Sequence, residues 1–323
     1  MQPDHPLEIE RAARLLIAGE LVAFPTETVY GLGADASNAD AVAKIFALKG
    51  RPAHHPVIVH VARGTDPADY FARAVPDIAY RLMERFWPGP LTLILARQDE
   101  HASAAAGGQA SIGLRCPDHP LAQQLLVQLS ALKAHAGLAA PSANRFGHVS
   151  PTTAQHVSLE FGPDLAVLDG GPCRVGIEST IVDLSRYERL GAVLLRPGDV
   201  SRAALGEVLG QEPTSMDDDA PRASGTLRSH YAPSKPVRLV STAELDLLDD
   251  SIAVWSFRAA PPQRGSHLPW LVAPRDLQGY ANAMYAVLRQ LDLSDAHSIA
   301  IELPPQTPAW EAVNDRLTRA AAH

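Results

Sequence analysis

LVAFPTETVYGLGAD, residues 21–35, opens with four apolar residues and is then interrupted by Pro25. A run this short, closed by a turn former, reads as a buried strand rather than a helix. The stretch after it is dense in Thr and Gly. Thr26 and Thr28 offer hydroxyls, and Gly31 and Gly33 let backbone approach a ligand closely. The end of a strand in an α/β sheet is a common ligand position. A tight turn whose threonines bond their own backbone would have the same composition. Neither the GxGxxG nor the P-loop spacing is present.

Outward from this stretch, helix-like and strand-like signals alternate. Residues 7–18 carry helical apolar spacing, stopped by Gly19, and Asn38 reads as the N-cap of a helix through Leu48. Residues 78–86 and 121–129 read as helices; 57–61, 91–95, 112–114, 138–140, 181–184 and 193–195 read as strands. Such an order predicts an α/β fold, a sheet with helices packed on it. Residues 210–236 have almost no large apolar side chains and are rich in Pro, Ser and Asp, which reads as a linker. A second α/β pattern follows: strands at 237–240, 252–255 and 299–301, a helix over 277–291, and a last helix from Trp310. The predicted organisation is a domain over 1–209, a linker over 210–236 and a smaller α/β domain over 237–323 with a small core of its own.

Bulk properties narrow the function. A chain of 323 residues favours two domains. The 28 basic and 36 acidic residues leave a net charge of −8, which argues against a broad nucleic-acid-coating surface. Cys116 and Cys173 cannot make a disulfide framework or a four-thiolate zinc site. Their scarcity suits a reducing cytosol, so a cytoplasmic protein is expected. The first ten residues do not read as a signal peptide, and no apolar run approaches membrane-spanning length.

Several strand and helix ends carry polar groups. In ALKGRP, residues 47–52, Gly50 fits a helix C-cap and Pro52 bars continuation. Lys49 and Arg51 are expected at a solvent-facing helix end, either as favourable cations there or aimed at an anion. The histidines of HHPVIVH (His54, His55 and His60) lack a zinc spacing, so no metal site is expected. Arg115 ends SIGLR, and Arg196 lies in LLRPGD. In AAPSANRFGHVSPTT, residues 139–153, Ser142 and Asn144 are expected to face the same way. GIEST, residues 176–180, adds Ser179 and Thr180. There is no GxSxG elbow and no recognisable cysteine nucleophile. Together these cations and hydroxyls fit a polyanion such as a nucleoside triphosphate, with catalysis by positioning and charge stabilisation.

In that order, PTETVYGLGAD, KGRP, FWPGPLTLIL, APSANRFGHVSPT, GIESTIVDL and LRPG resemble the YrdC-like family. The trailing HYAP, residues 230–233, and a second α/β domain are similar to the longer, two-domain threonylcarbamoyl-AMP synthases. The resemblance implies a YrdC-like twisted mixed sheet with packed helices, and a smaller Rossmann-like C-terminal domain. It implies formation of threonylcarbamoyl-AMP and pyrophosphate from L-threonine, bicarbonate and ATP. That is the first step toward N6-threonylcarbamoyladenosine in tRNA, with the product passed to a downstream transferase complex. The family's KxR…SxN signature falls on Lys49, Arg51, Ser142 and Asn144. By resemblance, Lys49 and Arg51 are catalytic. Arg51, His55, Ser111, Ser142, Asn144, Arg196 and Tyr231 would contact ATP, and Thr28, His60, Arg115, Ala140 and Ser179 would surround threonine. Mg²⁺ would be held mainly by the ATP phosphates. His55 stands where the family often has Asn, and Ser224-Gly225 where it has Pro-Gly. Residues 210–236 would act as a lid.

Two other readings compete. A non-catalytic RNA-binding or ribosome-assembly module is opposed by the net charge of −8. A carbamoyltransferase of hydrogenase maturation would need a zinc-finger part that two cysteines cannot supply.

Overall fold

The computed structural model describes residues 5–99, 101–227, 229–262, 264 and 267–322, with side chains from residue 9 onward. After α1 (His5–Ile17), β1 (Val22–Phe24) and β2 (Gly31–Asp35) pair antiparallel, with Phe24 opposite Gly31 and Val22 opposite Gly33. GLGAD is thus a strand, where the sequence alone suggests a loop. A Cβ on Gly31 or Gly33 would lie 3.1 or 3.0 Å from the Phe24 ring. These glycines make room for a buried aromatic ring, a packing role that the ligand-approach reading overlooks.

α2 (Ala39–Lys49) begins at the expected cap. The Asn38 side chain accepts from the Asp40 and Ala41 N–H groups, a contact worth about 0.5–2 kcal/mol. The helix ends at Gly50, whose φ is +67°. The Arg51 N–H then returns to the Phe46 carbonyl at 2.9 Å, which reverses the chain at the helix end.

The remaining N-terminal elements are β3 (Val59–His60), α3 (Asp77–Phe86), β4 (Leu91–Ala96), β5 (Ser111–Arg115), α4 (Pro120–Leu132), β6 (Leu138–Ala139) and α5 (Ala154–Phe161). They are followed by β7 (Ala166–Val167), β8 (Thr180–Asp183), α6 (Tyr187–Leu190), β9 (Val193–Arg196), α7 (Arg202–Leu209) and β10 (Thr214–Ser215). These strands form one mixed ten-stranded sheet, ordered β10-β9-β8-β4-β5-β3-β6-β2-β1-β7. Ile45 of α2, Leu82 of α3 and Leu205 of α7 join one core with Leu93 and Leu114. Leu16 of α1 and Leu125 of α4 pack with Phe24 and Leu138 in another. Burying each such side chain stabilises by roughly 1.5–3 kcal/mol.

The C-terminal sheet contains β11 (Val237–Val240), β12 (Ile252–Ser256), β13 (Trp270–Val272) and β14 (Ser298–Glu302), with α8 (Leu277–Asp292) and α9 (Glu311–Ala320) packed against it. It is wholly parallel, in the order β11-β14-β12-β13. β14 therefore slots between strands that a Rossmann order would make neighbours.

The C-terminal domain has a small core of its own, formed by Val240, Leu245, Ile252, Val254 and Ala300, but its larger cluster reaches into the N-terminal domain. Val29, Val149, Val175 and Ile177 of the N-terminal domain share one cluster with Trp255, Tyr280, Met284 and Leu317. Burial patterns show which residues are apolar, but not which sheet they will face. The region read as a linker is likewise tied down. β10 pairs with β9, Ala223 packs with Ile58 and Ile181, and Tyr231 is fully buried. Among the described residues, no helix is long and apolar enough to cross a membrane.

Candidate functional site

Strand ends and the 210–236 crossing converge on one cavity. Its walls include Thr26, Arg51, His60, Arg115, Ser142, Glu178, Ser179, Arg196, Ser224 and Tyr231. The space left free is about 40 Å³, enough for only a few water molecules. A drug-sized ligand needs roughly 300 Å³ or more, so the cavity as it stands is too small for such an occupant.

Three guanidiniums reach this wall from different elements. Arg51, just past α2, donates from Nη2 to the Pro56 carbonyl at 2.8 Å and to Ser224 Oγ at 3.2 Å. Arg196, ending β9, donates from Nε to the Ser179 carbonyl at 3.0 Å and from Nη2 to Ser179 Oγ at 3.1 Å. Its Nη1 donates to the Ser224 carbonyl at 2.9 Å. Arg115, ending β5, donates from Nη2 to Glu27 Oε1 at 2.6 Å. Glu27 is buried behind it and also accepts from the Asp118 N–H at 3.0 Å.

Burial pulls the Arg51 guanidinium down to about 10, with Arg196 adding to the effect and Tyr231 opposing it. It remains a cation at neutral pH. Burial, then Arg115, pushes His60 down to about 3, and burial does the same to His230. Both imidazoles are therefore neutral.

Among the described residues, Arg51 Nε, His60 Nδ1, His230 Nδ1 and Tyr231 Oη are buried without a hydrogen-bond partner, and all four residues line this cavity. Buried polar groups are normally satisfied. Clustering of four unsatisfied ones beside three cations marks a surface built for a polar, anionic ligand. Mg²⁺ would find little here on the protein side. Glu178 is the lining carboxylate, and its oxygens already accept from Ser150, Tyr285 and Arg316. The donor set fits a metal carried by phosphate and water rather than by a protein cage.

Of the residues predicted from sequence, Arg51, His60, Arg115, Ala140, Ser142, Ser179, Arg196 and Tyr231 line the cavity. Thr28 is buried one hydrogen bond behind Thr26, at 2.8 Å between hydroxyls. Ser111 borders an adjoining small hollow with Ile58, Ala223 and Ser224. His55 lies near the edge of the Phe146 ring, with centroids 5.6 Å apart.

Two expectations fail. Lys49 and Arg51 do not sit at a solvent-facing helix end; they are 3% and 7% exposed. The Lys49 ammonium donates to the Ser142 carbonyl at 2.6 Å and to the Asn144 carbonyl. It secures the loop after β6, and burial, then Arg51, pushes its pKa well below the ordinary lysine value. Ser142 and Asn144 also do not face the same way. Ser142 lines the cavity, while Asn144 Nδ2 turns to the Arg145 and His148 carbonyls at 2.7 and 2.9 Å. A loop held by carbonyl contacts does not keep the alternation of a strand.

Sequence reasoning missed Glu27, Glu178, Tyr285 and Arg316. Glu178 sits within GIEST, but a carboxylate among anion-binding groups has no telltale spacing. Arg316 lies 138 residues from its partner Glu178, so no local pattern could pair them.

The Sua5/YciO/YrdC family, described as "Telomere recombination", matches residues 14–198. The family described as "Threonylcarbamoyl-AMP synthase, C-terminal domain" matches residues 200–322. The threonylcarbamoyl-AMP synthase of Bacillus subtilis is 37% identical over 330 residues, covering 97% of this chain and 93% of that one. The enzyme of that name from Pyrococcus abyssi is 41% identical over 239 residues, covering 72% and 68%. The crystal structure of P. abyssi Sua5 complexed with L-threonine superposes with a TM-score of 0.86, at 32% identity, over 97% of this chain and 94% of that one. With both halves matched in sequence and the whole length matched in structure, this chain belongs to the Sua5/YciO/YrdC family in its two-domain form.

Proposed function

We propose that this chain forms L-threonylcarbamoyl-AMP and pyrophosphate from L-threonine, bicarbonate and ATP. One observation carries the reading: three arginines, and four residues that each hold a buried polar atom with no partner among the described residues, line a single cavity. Family membership supplies the reaction.

The free amine of threonine attacks bicarbonate, giving a carbamate and water. A carbamate oxygen then attacks the α-phosphate of ATP, and pyrophosphate leaves. The substrates that carry charge to the phosphoryl step, and both products, are anionic. Fixed cations can therefore stabilise the transition state with no protein nucleophile. Arg115, oriented from behind by Glu27, takes the threonine carboxylate. Thr28, His60, Ala140 and Ser179 shape the pocket around threonine and its carbamate. Arg51, Ser142, Arg196 and Tyr231 hold ATP, with Ser111 and His55 toward its periphery. Lys49 and Asn144 act by fixing the loop that carries Ser142. Mg²⁺ would be carried by the phosphates, where it would neutralise charge on the leaving pyrophosphate.

Residues 210–236 serve as the lid. Ser224 occupies the donors of Arg51 and Arg196 that phosphate would use. ATP entry must therefore displace it, and reclosure would shield a hydrolysis-prone mixed anhydride from water. The product passes to a downstream transferase acting on tRNA, in the cytoplasm. An RNA-binding module is the weaker reading, since the cations line one shared cavity and the net charge is −8.

The test is pyrophosphate release from the purified chain. It should require threonine, bicarbonate and ATP together, and Arg51→Ala should lower it by about 10²–10³-fold. Release that ignores threonine or bicarbonate, or survives Arg51→Ala at the wild-type rate, refutes the assignment.

A further inference from the structure

Glu178 lines the cavity, yet the proposed reaction gives it no task. Ser150 Oγ donates to its Oε1 at 2.5 Å. Tyr285 Oη and Arg316 Nε donate to its Oε2 at 2.8 and 2.9 Å. Tyr285 lies on α8 and Arg316 on α9, so the C-terminal domain holds a group in the N-terminal domain's cavity wall.

Arg316 does more than pair with this carboxylate. It is completely buried. Its Nη2 donates to the Pro197 carbonyl at 2.9 Å, and its guanidinium lies 5.2 Å from the centre of the Tyr231 ring. Pro197 follows Arg196, and Glu178 precedes Ser179. Arg196 and Ser179 are themselves bonded through two contacts. One guanidinium from the last helix thus grips both chain segments that carry this pair, and packs on the lid tyrosine as well. The segments are already as close as backbone permits: a Cβ on Gly198 would lie 2.4 Å from the Thr180 nitrogen.

Stability alone does not explain this arrangement. A buried ion pair roughly cancels its own desolvation cost, and an apolar replacement of similar volume often serves as well. A rigid planar fork with donors in several fixed directions is suited to setting geometry. We infer that Arg316 is a positioning residue through which the C-terminal domain sets the orientation of Arg196 and Ser179, acting on Glu178, Pro197 and Tyr231. The inference rests on the cavity being the site of the proposed synthesis.

The experiment compares full-length wild type with Arg316→Met, Tyr285→Phe, Glu178→Gln and the double variant Arg316→Met/Glu178→Leu. Arg202→Gln is the control, since it removes an interdomain contact to Glu311 outside the cavity. Thermal unfolding, kcat, and KM for threonine and ATP are measured on each. Arg316→Met should lower kcat by about tenfold or more, as a misplaced catalytic group does. The threonine KM should rise less than the ATP KM, because Ser179 borders threonine while the Arg115 side of the cavity is untouched. The double variant should be no slower than Arg316→Met, since both changes act on one unit. Tyr285→Phe keeps the packing and loses one hydroxyl, so kcat should fall with a smaller drop in unfolding temperature than in Arg316→Met. It decides the matter if Arg316→Met fails to fold.

A wild-type kcat in Tyr285→Phe and Arg316→Met overturns the inference. So does a fall in kcat that Arg202→Gln reproduces at equal loss of stability. A wild type that releases no pyrophosphate would instead refute the reaction itself.

Discussion

Two buried guanidinium–carboxylate pairs flank the cavity, and they face it in opposite senses. In Arg115–Glu27 the arginine lines the cavity and the glutamate stands behind it; in Glu178–Arg316 the glutamate lines it and the arginine stands behind. The first pair presents a cation whose orientation is fixed by a hidden anion. The second presents an anion whose charge is offset by a hidden cation. Without Arg316, Glu178 would repel the phosphates that the proposed function assigns to Arg196. The first pair is also local to one domain, whereas the second spans both. Threonine's carboxylate would thus be met by a site the N-terminal domain completes alone, and the phosphates by one that needs the C-terminal domain.

Removing the hidden member is the strongest way to break this symmetry. Glu27→Ala and Arg316→Ala should each lose about 3–5 kcal/mol of unfolding free energy, because each strands a buried charge. Denaturant titration checks this. A loss under about 1 kcal/mol in either variant would mean that the charge left behind finds water, and the two pairs would not be equivalent in burial.

Acid should separate the groups next. Burial alone would raise the Glu178 carboxyl, but Arg316 and Arg196, with the Ser150 hydroxyl, hold it at about 2. Its ordinary value in an unfolded chain is about 4.3. Its stabilising contribution is therefore complete above that value and disappears as pH falls toward 2. His60 and His230, held near 3, act in the same direction over a higher window. Unfolded histidines take up protons from about pH 6.5 downward while the folded ones do not, so stability falls as pH drops from there toward 3. Each contributes a slope of up to about 1.4 kcal/mol per pH unit. His60→Gln should flatten the pH profile of unfolding between about 6 and 4, and an unchanged slope would show that His60 is already protonated when folded.

The smallest effect concerns Ser224, on the segment that the proposed function makes a lid, bonded to Arg51 and Arg196. Ser224→Ala removes the hydroxyl that accepts from Arg51, a contact worth about 1 kcal/mol. Apparent ATP affinity should rise by about two- to fivefold, measured as the ATP KM, with the threonine KM unchanged. Weaker ATP binding would mean that Ser224 assists the nucleotide instead of competing with it.

Much of this was legible along the chain. Asn38 and Gly50 bound α2 as their capping chemistry requires, and short apolar runs marked most of the strands. The polar residues after those runs pointed to the cavity walls. GLGAD misled because glycine signals a turn, whereas here it yields space to Phe24 on the neighbouring strand. Lys49 misled because a lysine at a helix end is usually solvated, whereas here two carbonyls of the loop after β6 receive it.

Capping, breaking and apolar periodicity are interactions within a few residues, so the amino-acid order alone determined the α/β elements and the chemical character of their ends. Which of those ends meet depends on burial between segments far apart in sequence. Only the tertiary structure decided that Arg316 would reach Glu178 across 138 positions, that Glu27 would back Arg115, and that residues 210–236 would close over the guanidiniums.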